Sequence, residues 1–294
     1  MHKCSIMEIT FEGASRGNWL NTIVANSNLA INKDETINLI FNSISSPNEI
    51  EPFHFVLLAC FIYRLKTEGY FIYRLDAGND EVFNYLKENL HFYDYFKRNT
   101  IHYIEAQDNT VFNLWKITNE EKESYSQQIH DYLRNSFFQN KDLSAIKNSL
   151  LEVYYNIFDH AEAKDNAYSF IKYNETTQKL YVAICDFGIG IASSIRRRYN
   201  VNSDKEAILK AVEIGVTVQS KEHNRGFGLD NILSTLSADD RLRIISNSGF
   251  LYAIGQKIKT FDLDFCFNGT LIYYELSIAK FEDLEINEIM TLDF

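Results

Sequence analysis

Glu152, Asn156 and His160 stand four residues apart in the stretch 151–161, LEVYYNIFDHA. On a helix, residues four apart differ in direction by only about 40°, so the three form one slanted polar stripe. A carboxylate on such a stripe can take a proton from water as a general base. An amide oxygen is a suitable hard ligand for Mg²⁺, which keeps several waters and bridges phosphates. Further on come Asp186-Phe187-Gly188-Ile189-Gly190-Ile191 and then Gly226-Phe227-Gly228-Leu229. Asp186 ends an apolar run, where a carboxylate is costly to bury without a donor; the exocyclic amine of a purine is such a donor. Gly188 and Gly190 allow backbone to approach a flat ligand or a phosphate closely. The second glycine turn opens a helix, whose free N–H groups favour anions. The ordered set reads as a site for a nucleotide, a metal and a water.

The elements that must carry these residues are legible in outline. Leu143, Ile146, Leu150, Val153 and Ile157 cluster beside the polar stripe and are expected in the core. Taken singly, the helix also fits an ordinary amphipathic helix and each glycine pair an ordinary turn. Alternation and turn residues predict strands at 36–44, 70–75, 110–117, 179–185, 241–247, 251–254 and 270–278. Helices are expected at 52–66, 79–89, 120–138, 142–161, 206–214 and 228–236. The order predicts an α/β fold in two parts, with a boundary near 105: residues 1–105, residues 106–281, and a tail at 282–294.

The 294 residues carry a net charge of −11, which argues against nucleic acid and anionic membranes as partners. Arg196-Arg197-Arg198 is a local basic exception. The cysteines, Cys4, Cys60, Cys185 and Cys266, form no CxxC pair and fit reduced thiols. The N-terminal segment has no long apolar run, and 53–63 is too short to span a bilayer. A cytoplasmic protein without membrane contact is expected.

In this order the three segments resemble the motifs of the GHKL ATPases, the superfamily of gyrase, heat-shock chaperone, histidine kinase and mismatch-repair proteins, over roughly 110–280. The pattern ExxxNxxxHA is most similar to the anti-sigma-factor serine kinase branch. The resemblance implies a Bergerat α/β sandwich with ATP and Mg²⁺ as cofactors. It implies Glu152 as the water-activating base, Asn156 as the Mg²⁺ ligand and Asp186 on the adenine amine. Gly188, Gly190 and Ile191 would line base and sugar, and Gly226, Gly228 and Leu229 the phosphates. The segment 215–225 would be a lid, with Thr217, Lys221 and Arg225 as phosphate contacts, and Thr270 would support Asp186. His160 reads as a helix-packing residue. Two look-alikes fail. Asp186-Phe187-Gly188 lacks the glycine loop, lysine and HRD segment of a eukaryotic-type kinase. His130-Asp131 lacks room for the dimerising hairpin of a histidine kinase and reads as an exposed helical histidine.

Residues 36–95 are similar in order to STAS-type domains, the antagonists of partner-switching pathways. Those place a phosphorylatable hydroxyl at the start of the helix after the strand. Here that start reads Asn48-Glu49-Ile50-Glu51-Pro52-Phe53-His54, with Ser45 and Ser46 ahead of it in the loop. A docking module that is not itself phosphorylated is expected. The whole chain then reads as a protein that couples ATP binding and slow hydrolysis to contact with a protein partner. A serine/threonine kinase of the anti-sigma-factor type, or a nucleotide-gated binding module without hydrolysis, stand as alternatives, and a homodimer is open.

Overall fold

The computed structural model describes residues 6–27, 36–97, 103–160, 167–213 and 229–283. They form a mixed α/β fold with two sheets. The first is wholly parallel: β1 (Ile6–Glu12), β2 (Thr36–Asn42) and β3 (Phe71–Ala77), in the order β1-β2-β3. The helices α1 (Arg16–Ala25) and α2 (Pro52–Thr67) connect its strands. After β3 come α3 (Asp80–Asn84), a π-helical turn at Tyr85–Asn89 and α4 (Asp94–Lys97).

The second sheet holds β4 (Val111–Ile117), β5 (Ala167–Asn174), β6 (Lys179–Asp186), β7 (Arg241–Ile254) and β8 (Lys257–Ser277), in the antiparallel order β4-β5-β6-β8-β7. Five helices are assigned to this half of the chain among the described residues: α5 (Lys122–Ser136), α6 (Ser144–His160), α7 (Ile191–Arg196), α8 (Asp204–Ala211) and α9 (Asp230–Ser234). Their apolar residues and one face of the sheet share a single core. The expected apolar side of α6 is in it: Leu143, Ile146, Leu150, Val153 and Ile157 are all buried.

The two units share the other core. Sequence patterning gives α2 one apolar face, yet Phe53, Phe55, Val56, Leu57, Leu58, Cys60, Phe61 and Ile62 are all buried. A helix buried all round must have neighbours all round. α2 has β3 on one side and β5 and β6 on the other. Phe55 stacks on Phe170 of β5 with ring centroids 4.6 Å apart. A polar clasp closes the same junction. Arg16 pairs with Glu51 at 2.5 Å, Glu51 accepts the Tyr273 hydroxyl at 3.1 Å, and the buried Glu275 pairs with Arg243 at 2.6 Å.

Five elements were not predicted from the sequence: β1, α1, α4, β5 and α7. The expected helix at 79–89 changes to π-helical winding half-way. β7 also departs from a straight strand. At about 3.3 Å per residue its 14 residues would carry the chain far from its start, yet the Gly255 N–H donates to the Asp240 carbonyl at 3.0 Å. The strand therefore doubles back, and the register shift at Asn247, which has φ +54°, marks the bend.

Candidate functional site

The register brings the end of β6 beside β8, with β7, the strand that follows the expected lid, next beyond it. Ala167, Asp186, Thr270 and Ser246 form one row across β5, β6, β8 and β7. Alternate side chains on a strand take opposite faces. Val182 and Ile184 enter the core beneath α6, so Asp186 points to that face too; Ala183 and Cys185 enter the core against α2. Helix α6, Asp186 and Thr270 thus share one side of the sheet.

Asp186 is fully buried. Its Oδ1 accepts the Gly188 N–H at 2.7 Å, which folds the turn back onto the strand end. Its Oδ2 is buried and has no partner among the described residues. Burial pushes the carboxyl up to about 7, against the opposing pull of the Gly188 N–H and of Thr270. A buried acceptor without a donor is a rare and costly arrangement, and an amine on a ligand would satisfy it.

The turn is held from behind. The Thr270 hydroxyl accepts the Ile191 N–H at 3.2 Å, and the Ser246 hydroxyl lies 3.4 Å from the Ala192 N. Asn247 donates to the Ile189 carbonyl at 3.2 Å and accepts from Ser193 at 3.3 Å. Ser246 and Asn247 are site-building residues that sequence reasoning missed. The Asn-Ser-Gly turn signature at 247–249 marks the bend but not its target. Gly190 has φ +82°, and a Cβ there would lie 2.5 Å from Ser246 Oγ and 2.6 Å from Asn247 Oδ1. That direction is filled by protein, so packing and backbone angle are enough to demand glycine here.

On α6, Asn156 donates to the Glu152 carbonyl at 3.0 Å and lies 3.4 Å from Glu152 Oε1. Both side chains are half-buried. The amide nitrogen is thus turned to Glu152, and Asn156 Oδ1 has no protein partner among the described residues, which leaves it open to a hard cation. No group of three or more His, Cys, Asp or Glu side chains suited to a metal is found among the described residues. A single amide ligand for Mg²⁺, completed by phosphates and waters, needs no such group.

The other expected residues divide as follows. Ile191 packs against the core, and the Leu229 side chain is buried in it. His160 ends α6, and its side chain lies outside the described residues. Thr217, Lys221, Arg225, Gly226 and Gly228 also lie outside them, with the whole expected lid. His130, expected to be exposed, is half-buried and 3.1 Å from Asp131. Arg196 is paired with Asp204, so the basic triplet is partly neutralised.

The chain matches no protein-family model and no curated protein. No helix among the described residues is long and apolar enough to cross a membrane.

Proposed function

We propose that this chain is an ATP- and Mg²⁺-binding protein of the GHKL type whose N-terminal unit is STAS-like, and that it couples nucleotide binding and slow hydrolysis to contact with a protein partner. The observation that carries the reading is Asp186. A buried carboxylate at a strand end, with one oxygen on the following glycine turn and the other unpartnered, suits the exocyclic amine of adenine. Asn156 would hold Mg²⁺ through Oδ1, and Glu152 beside it would take the proton of the attacking water. Bound ATP supplies the transferable phosphoryl group. Glu152 and Asn156 are already held together on one helix face, so the base and the metal ligand need no rearrangement relative to each other.

Two observations support a docking role for the N-terminal unit. At the start of α2, where an antagonist domain would carry its phosphorylatable hydroxyl, Glu51 caps the helix, receives the His54 backbone N–H and pairs with Arg16. That position is committed to the junction with β8. Ile6 and Phe71 flank Thr36 in one register row and are 58% and 67% exposed. They form an apolar pair turned away from α2, which suits a protein partner.

The test is calorimetry with ATP, GTP and Mg²⁺, followed by incubation with labelled ATP. Saturable binding that prefers ATP, lost in Asp186→Asn, supports the reading; no ATP binding to the folded chain refutes it. Released phosphate supports hydrolysis, and a labelled partner supports the serine/threonine kinase alternative.

A further inference from the structure

A cavity of about 260 Å³ opens behind the Asp186 turn, on the opposite side of the sheet. Cys60, Tyr63, Arg64 and Thr67 from the last turns of α2 line one wall; Tyr168 of β5, Phe187 and Asn268 line the other. Tyr168 follows Ala167 of the site row, and Phe187 follows Asp186, so the pleat sends both away from Asp186. The floor is closed by the Cys60 thiol, which donates to the Cys185 carbonyl at 3.3 Å.

The lining is chemically specific. Tyr168 lines the cavity, and its hydroxyl makes no hydrogen bond to the described residues. The hydroxyl is not among the buried unpartnered atoms, so it keeps solvent access and is free to donate to a ligand in the cavity. Arg64 donates its Nε–H to Glu68 at 2.7 Å, and its amino groups have no other partner among the described residues. Tyr63 and Tyr168 contact each other with ring centroids 6.4 Å apart and planes tilted by 58°, and Phe187 adds a third aromatic wall. An enclosed cavity of about 150 Å³ holds benzene; this cleft, of about 260 Å³ and open on one side, has room for two fused rings.

We propose that this cavity binds a planar two-ring aromatic monoanion, held against its aromatic walls with the anionic group on Arg64 and Tyr168, and that its occupancy shifts nucleotide affinity. The shift would pass through Phe187 and Asn268. Each is joined directly to a site residue, Asp186 or Gly269, and those two backbones are in contact. The coupling rests on the nucleotide reading above; the cavity's occupancy does not.

The probe is 2-naphthoate, titrated into the full chain by calorimetry. Saturable one-site binding is expected. Arg64→Gln should weaken it by roughly 10-fold or more, the effect of losing a charge-assisted hydrogen bond, and Tyr168→Phe by roughly 3–10-fold. Uncharged 2-naphthol should bind more weakly than the carboxylate. No saturable binding, or binding that survives both substitutions, overturns the site. A second titration adds 2-naphthoate to ATP-saturated protein. A changed naphthoate affinity supports the coupling, and an unchanged one, with ATP bound, overturns it. Failure of ATP itself to bind refutes the nucleotide reading and the coupling, while the first titration still decides the cavity.

Discussion

Gly269 lies against Asp186 so closely that a Cβ at Gly269 would run into the Asp186 carbonyl oxygen and sit 2.8 Å from the Phe187 Cα. Its φ is +121°, a region that L side chains rarely adopt. The backbone leaving β6 and the backbone entering the last part of β8 therefore touch directly, with no side chain between them. This contact sets where the Asp186 carboxyl sits relative to Thr270.

Gly269→Ala should be the most damaging small substitution near the site. Strain and overlap against backbone together cost roughly 3 kcal/mol, read as a lower urea midpoint. Gly69→Ala is the control. Gly69 also has positive φ, +97°, but nothing lies near its missing Cβ, so it should lose only about 1 kcal/mol. Equal losses would show that overlap at Asp186 is relieved by relaxation.

Asp186→Asn should separate stability from binding. The folded carboxyl titrates near 7, well above its unfolded value, so the unfolded chain gives up its proton first as pH rises. The wild type should lose stability from about pH 4 to pH 7, by up to about 4 kcal/mol. Asn escapes this, so the variant should be the more stable protein at pH 8, with the gap closing near pH 4. Its ATP affinity should fall by roughly 10–100-fold. Thermal melts across pH, paired with calorimetry, check both halves.

His54 should act in the opposite direction. It is buried, accepts the Glu51 N–H at Nδ1 and contacts the Ala14 carbonyl through Nε2. Burial first, then the Arg16 charge, lowers it to about 4. Between pH 6.5 and 4 the unfolded chain takes a proton that the folded imidazole refuses. Stability should therefore fall on acidification through that window, by roughly 3 kcal/mol. His54→Gln should flatten this fall, and the His54 ring resonances should stay in the neutral form at pH 5.

Glu152→Ala should keep ATP binding and slow hydrolysis by about 100-fold or more, a usual general-base contribution. Asn156→Ala should instead remove the Mg²⁺ dependence of binding. Turnover at the wild-type rate in Glu152→Ala would assign the base elsewhere.

Removing residues 1–105 should yield aggregated protein. The sequence divides the chain near 105, but Tyr168, Phe170, Leu271 and Tyr273 are buried in the core that contains α2. Without α2 that sheet face would be a large exposed apolar patch. Size-exclusion chromatography of the truncated chain decides it, and a clean monomer would show the junction to be dispensable.

The sequence determined what local periodicity can carry. The two faces of α6, the apolar run into Asp186 and the glycine turn after it follow from side-chain spacing of 3.6 and 2 residues, and the structure places each as that spacing predicts. It also excluded a hydroxyl at the start of α2, because that is a matter of residue identity. Tertiary structure decided the rest. β5 and α2 are covered on both sides, which erases the polar stripe that separates a strand from a helix, or one buried face from two. Ser246, Asn247 and Gly269 lie more than fifty residues from the turn they hold. Their role exists only once the register of β6, β8 and β7 brings them to one sheet end, and no local pattern encodes a contact made across that distance in the chain.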